Sequence, residues 1–378
     1  MGTLSHNVSA ESLAVIEHGV IYRSGDGWQG YYGRVVKLTE REYVASMIAG
    51  TACETADSHP EILRSQDGGR TWRLEGPVER ERPAQLPPTE TGFISRAADG
   101  TLVCVGARWE VDPANPAAPL VHPQTLGMRE NRVHLRRSAD GGRTWSAPRE
   151  IPKPFDVPLE LPTGLTLLED GSSLFTCATW RRWDGVCPYG HRVAAMRSRD
   201  GLKSWEPPVT IFHDPSGKHA FWEGRVAQLD ARTLLATCWA HQWDPDEDLP
   251  NHYAISRDNG LTWSKARVSP VKGQTGWPLR LAADRILFVY NHRRPPVGVR
   301  AQIARLAGEE WTPVFDAEVW SPENRRVSSI TQGDYAVCSF QFGQPSALWV
   351  DDLHVMVVYW CVEEGRAGIN RTLIRLGP

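Results

Sequence analysis

The sequence predicts an all-β fold, a six-bladed β-propeller, and three observations lead there. The first is a turn that returns four times: "SQDGGRTW" at Ser65, "SADGGRTW" at Ser138, "SRDGLKSW" at Ser198 and "SRDNGLTW" at Ser256. The second is a polar turn running into a short apolar strand, which occurs six times at intervals of roughly 60 residues. Repeats of that size, each holding several strands, are the mark of a propeller. The third is the scarcity of helical periodicity: short apolar runs alternate with Gly, Asp, Asn and Pro clusters throughout.

The elements follow in order. Apolar strands after polar turns begin near Thr39, Ala98, Glu169, Leu229, Ala282 and Val350, one for each blade. In each unit an apolar strand precedes that turn, and a variable loop and a third strand such as "RVHLRRS" come after it. The eight-residue turn then connects strands three and four. In the fifth unit it has decayed to "RLAGEEW", Arg305 to Trp311. The sixth unit ends at "INRTLIRL" with no fourth strand left, so the N-terminal "SLAVIEHGVIYRS" is expected to close the ring. Residues 1–378 are thus read as a single domain.

The repeated turn has a structural reading. Ser and Asp side chains hydrogen-bond the backbone of their own turn. Glycine supplies a backbone angle that other residues resist, and the tryptophan covers the turn with apolar surface. Strands within a blade alternate in direction, so the start of strand one and the end of strand two share the face opposite this clip. Propellers work through such a face around the central channel, and functional residues are expected there.

Bulk properties narrow the class. Lys plus Arg number 42 and Asp plus Glu 45, a formal net charge of −3, which leaves no electrostatic footprint for nucleic acid. No apolar stretch has the length of a membrane span, and no basic segment leads into an apolar one near Met1, so a cytoplasmic location is expected. Of seven cysteines, Cys104, Cys177 and Cys238 sit in similar apolar strands, which suggests small buried residues rather than a disulfide framework. No Cys/His grouping has zinc spacing; neither metal nor cofactor is expected. Asn7 and Asn370 match the glycosylation pattern and are read as chance matches.

The four turns resemble the Asp boxes, or BNR repeats, of the sialidase (neuraminidase) superfamily. That resemblance spans the whole chain and implies a sugar-cleaving propeller, while Asp boxes by themselves do not specify a substrate. It also implies residue roles. A substrate-gripping arginine in the first blade corresponds to Arg34 in "YYGRVVKL", although Val-Val follows in place of Ile-Pro. The acid/base aspartate before the first Asp box corresponds to Asp57, with Glu54 and His59 beside it. A fourth-blade glutamate corresponds to Glu223 in "FWEGRVAQLD". Two marks are not matched. Trp239 and His241 stand where a later arginine would fall, and Gln344 and Pro345 where the nucleophilic tyrosine would; Tyr359 lies at the wrong end of the next strand. The chain is also similar to uncharacterised bacterial sialidase-like propellers, through "YNHRRPPVGVRA" at Tyr290 and "FGQPSAL" at Phe342.

The residues themselves add candidates. Arg108, Arg181 and Arg182, and then His292, Arg293 and Arg294, follow strand two in blades two, three and five. Recurrent arginine there suits an anionic substrate; a solvated basic loop is the bland alternative. Trp109, Trp180, Trp183, Trp239, Trp243 and Trp360 fall at similar places and suit sugar rings, with inter-blade packing as the alternative. His241 and His252 are further candidates. Asp57 and Glu223 would form the carboxylate pair that glycoside hydrolysis commonly needs; an Asx turn and a salt bridge to Arg225 are their structural alternatives.

The expected activity is exo-acting cleavage of a terminal acidic sugar. An oligosaccharide or glycoside would be the partner, with neither nucleic acid nor membrane, and oligomeric state is left open. A uronate-type lyase and a non-catalytic sugar-binding propeller are the alternatives.

Overall fold

A computed structural model describes residues 6–25, 27–53, 55, 57–79, 89–110, 119–161, 164–322 and 340–378. The N-terminal strand β1 (Ser12–Tyr22) belongs to the last blade. Blade one is β2 (Gln29–Lys37), β3 (Tyr43–Gly50), β4 (His59–Ser65) and β5 (Arg73–Pro77). Blade two is β6 (Phe93–Arg96), β7 (Leu102–Trp109), β8 (Asn131–Ser138) and β9 (Arg149–Ile151). In blade three the inner strand is split into β10 (Leu159–Glu160) and β11 (Leu165–Leu167), followed by β12 (Ser173–Thr179), β13 (Val193–Ser198) and β14 (Val209–Phe212). Blade four is β15 (His219–Gln228), β16 (Leu234–Trp243), a short return strand β17 (Asp246–Asp248), β18 (His252–Ser256) and β19 (Arg267–Val268). Blade five is β20 (Gly276–Ala282), β21 (Arg285–His292), β22 (Gly298–Ala307) and β23 (Glu310–Trp320). Blade six is β24 (Phe342–Trp349), β25 (His354–Glu363) and β26 (Arg366–Gly377), with β1 as its outer strand.

All pairings are antiparallel, and each sheet is a blade. The ring closes as expected: β1 pairs β26 from Ser12↔Gly377 to Tyr22↔Ile369. This joins the two ends of the described chain in one sheet.

The buried apolar residues fall into six clusters, one at each blade-to-blade seam. Strands with both faces covered need apolar residues at every position rather than at alternate ones. Accordingly β3 and β12 are buried along their whole length. The core is therefore a hoop, and the axis is left to polar and aromatic side chains.

The repeated turns sit between strands three and four. In the first, Ser65 Oγ accepts the Gly69 N–H at 2.8 Å and donates to Asp67 Oδ1 at 2.8 Å. Asp67 also accepts from Arg70 N, Thr71 N and the Thr71 hydroxyl. Hydrogen bonds from Thr71 hold the Asp67 carboxyl well below the usual carboxylate range. The third copy puts Leu202 where a glycine stands elsewhere, at φ +71°. Each clip also serves the neighbouring blade. Arg64, Arg137 and Arg197 end the third strands of blades one to three. They donate to Gly141 O, Gly201 O and Asn259 O in the clips of blades two to four.

Candidate active site

One backbone device, used in three blades, builds the centre. The inner strands β2, β15 and β24 each carry a bulge, with register shifts between Tyr31 and Arg34, Trp222 and Arg225, and Gly343 and Ser346. Two residues then oppose one, and the strand kinks. The first bulged residue is left-handed every time: Tyr32 at φ +57°, Glu223 at +51° and Gln344 at +45°. Non-glycine residues adopt this conformation at a cost of about 1 kcal/mol or more, and such strain clusters at functional sites. The device turns all three side chains toward one cavity on the channel axis.

All six blades line that cavity. Its aromatic wall is Phe93, Trp109, Trp180, Trp222, Trp239, Trp243, Phe340 and Trp360. Its polar groups are Tyr32, Thr91, Glu160, Arg181, His191, Glu223, Gln274, Thr275, Arg293 and Gln344.

Two carboxylates therefore face the same space, Glu160 from β10 and Glu223 from β15. Glu160 Oε2 accepts the backbone N–H of Glu223 at 3.0 Å. Glu223 Oε1 accepts from Gln344 Nε2 at 3.3 Å, and its Oε2 lies 3.5 Å from Arg225 Nη2. Glu223 Oε2 is buried and makes no hydrogen bond among the described residues; the Arg225 guanidinium is its ion-pair partner.

Buried arginines surround this pair. Arg34 is 3% exposed; burial and the neighbouring Arg225 hold its pKa well below the usual value, against the pull of Glu223. Arg293 is brought down to about 9 by burial, partly offset by Glu223, Asp248 and Tyr32. Its Nε donates to Gln274 Oε1 at 2.5 Å, and its guanidinium lies over Phe340 and Phe342. Arg293 Nη1 and the indole nitrogens of Trp109 and Trp360 are buried with no hydrogen-bond partner among the described residues. A Cβ built on Gly343 would stand 2.8 Å from Arg293 Nη2 and 3.0 Å from Trp360 Nε1. Glycine at 343 is what lets these two donors pack so close to the backbone. Buried donors without acceptors are costly, so an acceptor-rich ligand fits here.

His191 Nδ1 lies 3.1 Å from Trp222 Nε1 and its Nε2 3.2 Å from Arg181 Nε; a neutral ring accepts from one of these donors only. Burial, with Arg181 close by, pushes its pKa down to about 3, so the ring is neutral at ordinary pH. Among the described residues no group of His, Cys, Asp and Glu side chains is arranged to hold a metal ion.

Of the residues singled out in the sequence, Glu223, Arg181, Arg293 and Trp239 line the cavity. So do Trp109, Trp180, Trp243 and Trp360, whereas Trp183 is exposed at the surface. The others are placed elsewhere. Asp57 is turned back onto its own loop, where it accepts the Thr51 N–H at 3.2 Å and the Thr55 hydroxyl. Glu54 lies outside the described residues. Arg34 sits behind the cavity floor, since the bulge hands the inward direction to Tyr32. Its guanidinium donates to Gly33 O at 2.8 Å and to Gln344 O and Oε1, both at 3.2 Å. Arg108 pairs with Glu79, just past the last strand of blade one, and with Glu90, both at 2.7 Å. Arg182 is half-exposed on Asp156. His241 is buried between Asp246 and Asp248, at 2.7 and 3.2 Å. His292 meets Pro296 O at 2.7 Å and His252 meets Pro250 O at 2.9 Å, while Arg294 is exposed. Tyr359 is fully buried and meets Thr372 Oγ1, with burial pushing its phenol pKa far up.

Tyr32, Glu160, His191, Trp222 and Gln274 are cavity residues that the sequence reading passed over. A signal existed for the first. "YGRV" at Tyr32 and "EGRV" at Glu223 are the same bulge written twice.

No family model matches the chain, and no curated protein matches it. Solved structures do. A protein of unknown function from Dyadobacter fermentans superposes with a TM-score of 0.73 at 19% identity, over 97% of this chain and 99% of that one. The NanB sialidase from Streptococcus pneumoniae gives 0.62 at 10% identity, over 94% and 70%. The α-L-arabinofuranosidase Arb93A from Fusarium graminearum gives 0.63 at 14% identity, over 96% and 98%. The chain shares the six-bladed propeller fold of these proteins.

Proposed function

We propose that this protein is a glycoside hydrolase that removes a terminal acidic sugar held in the axial cavity. One observation carries the reading: Glu160 and Glu223 face one aromatic cavity, and Glu160 Oε2 accepts the backbone N–H of Glu223 at 3.0 Å. Paired carboxylates flanking a scissile bond are the usual apparatus of glycoside hydrolysis. Glu223, flanked by Arg225 and Gln344, takes the role of the partner that attacks the anomeric carbon or activates water. Glu160 takes the proton-donating role that the sequence reading gave to Asp57. The aromatic wall suits the apolar faces of a sugar ring, and the buried donors Arg293 Nη1 and Trp360 Nε1, which lack partners among the described residues, suit a carboxylate. Sialidases and an arabinofuranosidase share the fold, which favours a sugar substrate. The repeated turns, read as Asp boxes, are outer-face clips with no part in the chemistry.

The test is a panel of 4-methylumbelliferyl glycosides of glucuronate, galacturonate, N-acetylneuraminate and arabinofuranose, with products identified by mass. Release of an acidic sugar, lost in Glu160→Gln and Glu223→Gln, supports the reading. An unsaturated product absorbing in the ultraviolet would indicate a lyase. Binding without turnover would indicate a lectin-like propeller.

A further inference from the structure

Asp248 stands behind the cavity wall rather than in it. It ends β17, the short strand folded back on β16. Its Oδ1 accepts the indole N–H of Trp239 at 2.8 Å and faces His241 Nδ1 at 3.2 Å. Its Oδ2 accepts from Gln274 Nε2 at 2.9 Å. Gln274 Oε1 in turn accepts from Arg293 Nε at 2.5 Å. Trp239, Gln274 and Arg293 all line the cavity. Burial works against the charged form of Asp248, but hydrogen bonds from His241, Gln274 and Trp239 outweigh it and hold its carboxyl below the usual range.

The two ends of a glutamine amide have nearly the same shape and opposite polarity. A carboxylate only accepts. Asp248 therefore compels Gln274 to present its NH₂ end backward and its oxygen forward, onto Arg293. We propose that Asp248 is a positioning residue: it sets the polarity of Gln274 and, through it, the direction in which Arg293 offers its guanidinium to the ligand. The consequence for sugar recognition rests on the glycosidase reading; the orientation of Arg293 does not.

A polarity swap tests this. In Asp248→Asn the new amide keeps accepting from Trp239 only by turning its own NH₂ toward that of Gln274. Gln274 then flips, and a donor meets Arg293 Nε. In the double variant Asp248→Asn, Gln274→Glu the new carboxylate accepts from both sides, and total charge is unchanged. The first readout is the Arg293 Nε–H resonance in ¹H–¹⁵N spectra of the ligand-free protein, assigned with Arg293→Lys. It should be present in the wild type, lost in the single variant and restored in the double. The second is the Kd of D-glucuronate by calorimetry, expected to weaken about tenfold and then recover, as for loss of one charge-assisted hydrogen bond. An unchanged resonance in the single variant, or no recovery in the double, overturns the proposal. Recovery of the resonance with no uronate binding by any variant supports the relay and removes the acidic-sugar reading instead. If the single variant fails to fold, folding of the double with the resonance present supports the relay, and folding without it overturns it.

Discussion

The backbone N–H of Glu223 donates to Glu160 Oε2 at 3.0 Å, across the seam between blades three and four. Neither acid is placed by its own strand alone: the left-handed backbone at Glu223 aims that N–H, and the split inner strand of blade three brings Glu160 to it. Replacing either carboxylate by its amide should lower kcat by about 10²–10⁴, the usual worth of a positioned acid or base. Kd for the released sugar should change little. Asp57→Asn is the contrast. It removes a loop cap and should cost stability of about 1 kcal/mol while leaving kcat intact. Steady-state kinetics on the most active glycoside of the panel decides between them.

The Arg293 guanidinium should give acid binding an upper pH limit. Its pKa of about 9 in the fold lies below the ordinary arginine value of 12.5. The unfolded chain therefore holds the proton more tightly between those values, and the group's cost to stability is full below about pH 9 and fades as pH rises through that window. An acidic ligand pairs only with the charged form. Its affinity should be level from pH 6 to 8 and fall toward tenfold per unit above about 9. Arg293→Met should raise the ligand-free Tm at pH 7 and abolish binding of D-glucuronate. Calorimetry across pH and thermal unfolding of both proteins check the two halves; a Kd level to pH 10 contradicts the assignment.

The fold was legible because its signals are local. Each clip closes its hydrogen bonds within a few residues, as Ser65, Asp67 and Thr71 show, so eight letters suffice to recognise it. The closing strand was legible because β26 otherwise lacks an outer partner. The site was legible only where a side chain's direction follows from its strand. Arg34 reads as inward-facing until the bulge at Tyr32 reverses the alternation. Arg108 and Arg182 read as free cations because their partners, Glu79 and Glu90 and then Asp156, are distant in sequence. Asp57 is held by short-range bonds to Thr51 and Thr55, which outcompete any inward role. Glu160 carries no motif at all: a two-residue strand and a hydrogen bond from blade four bring it to the cavity.

The seam arginines predict how the ring holds together. Arg64 and Arg197 are buried to 4%, and each donates to a clip carbonyl of the next blade. Arg64 also pairs with Glu42 and Glu75, both at 2.8 Å. Replacing either arginine by alanine leaves a part-buried carbonyl without its donor and should cost about 1–3 kcal/mol. Arg137→Ala, on a more exposed side chain, should cost less. Chemical denaturation of the three variants should rank them in that order, and kcat should stay at the wild-type level in each.

The bulge glycines predict the sharpest link between backbone and chemistry. Gly224 follows Glu223, and a Cβ there would lie 2.1 Å from Val193 Cγ1 on the neighbouring blade. A contact that short cannot be absorbed by a small rotation, so Gly224→Ala must shift either β13 or the bulge. The bulge is the weaker of the two, since Glu223 already sits in a left-handed conformation. Glu223 should therefore move relative to Glu160, and kcat should fall by about tenfold or more for a displacement near 1 Å. Val193→Ala removes the colliding Cγ1 and leaves Cβ at 3.2 Å. The double variant Gly224→Ala, Val193→Ala should thus regain most of the lost kcat, although its cavity makes it less stable than the wild type by about 1 kcal/mol or more. Recovery of rate without recovery of stability is the expected pattern; rate and stability falling together in the double variant would mean that the bulge does not aim Glu223.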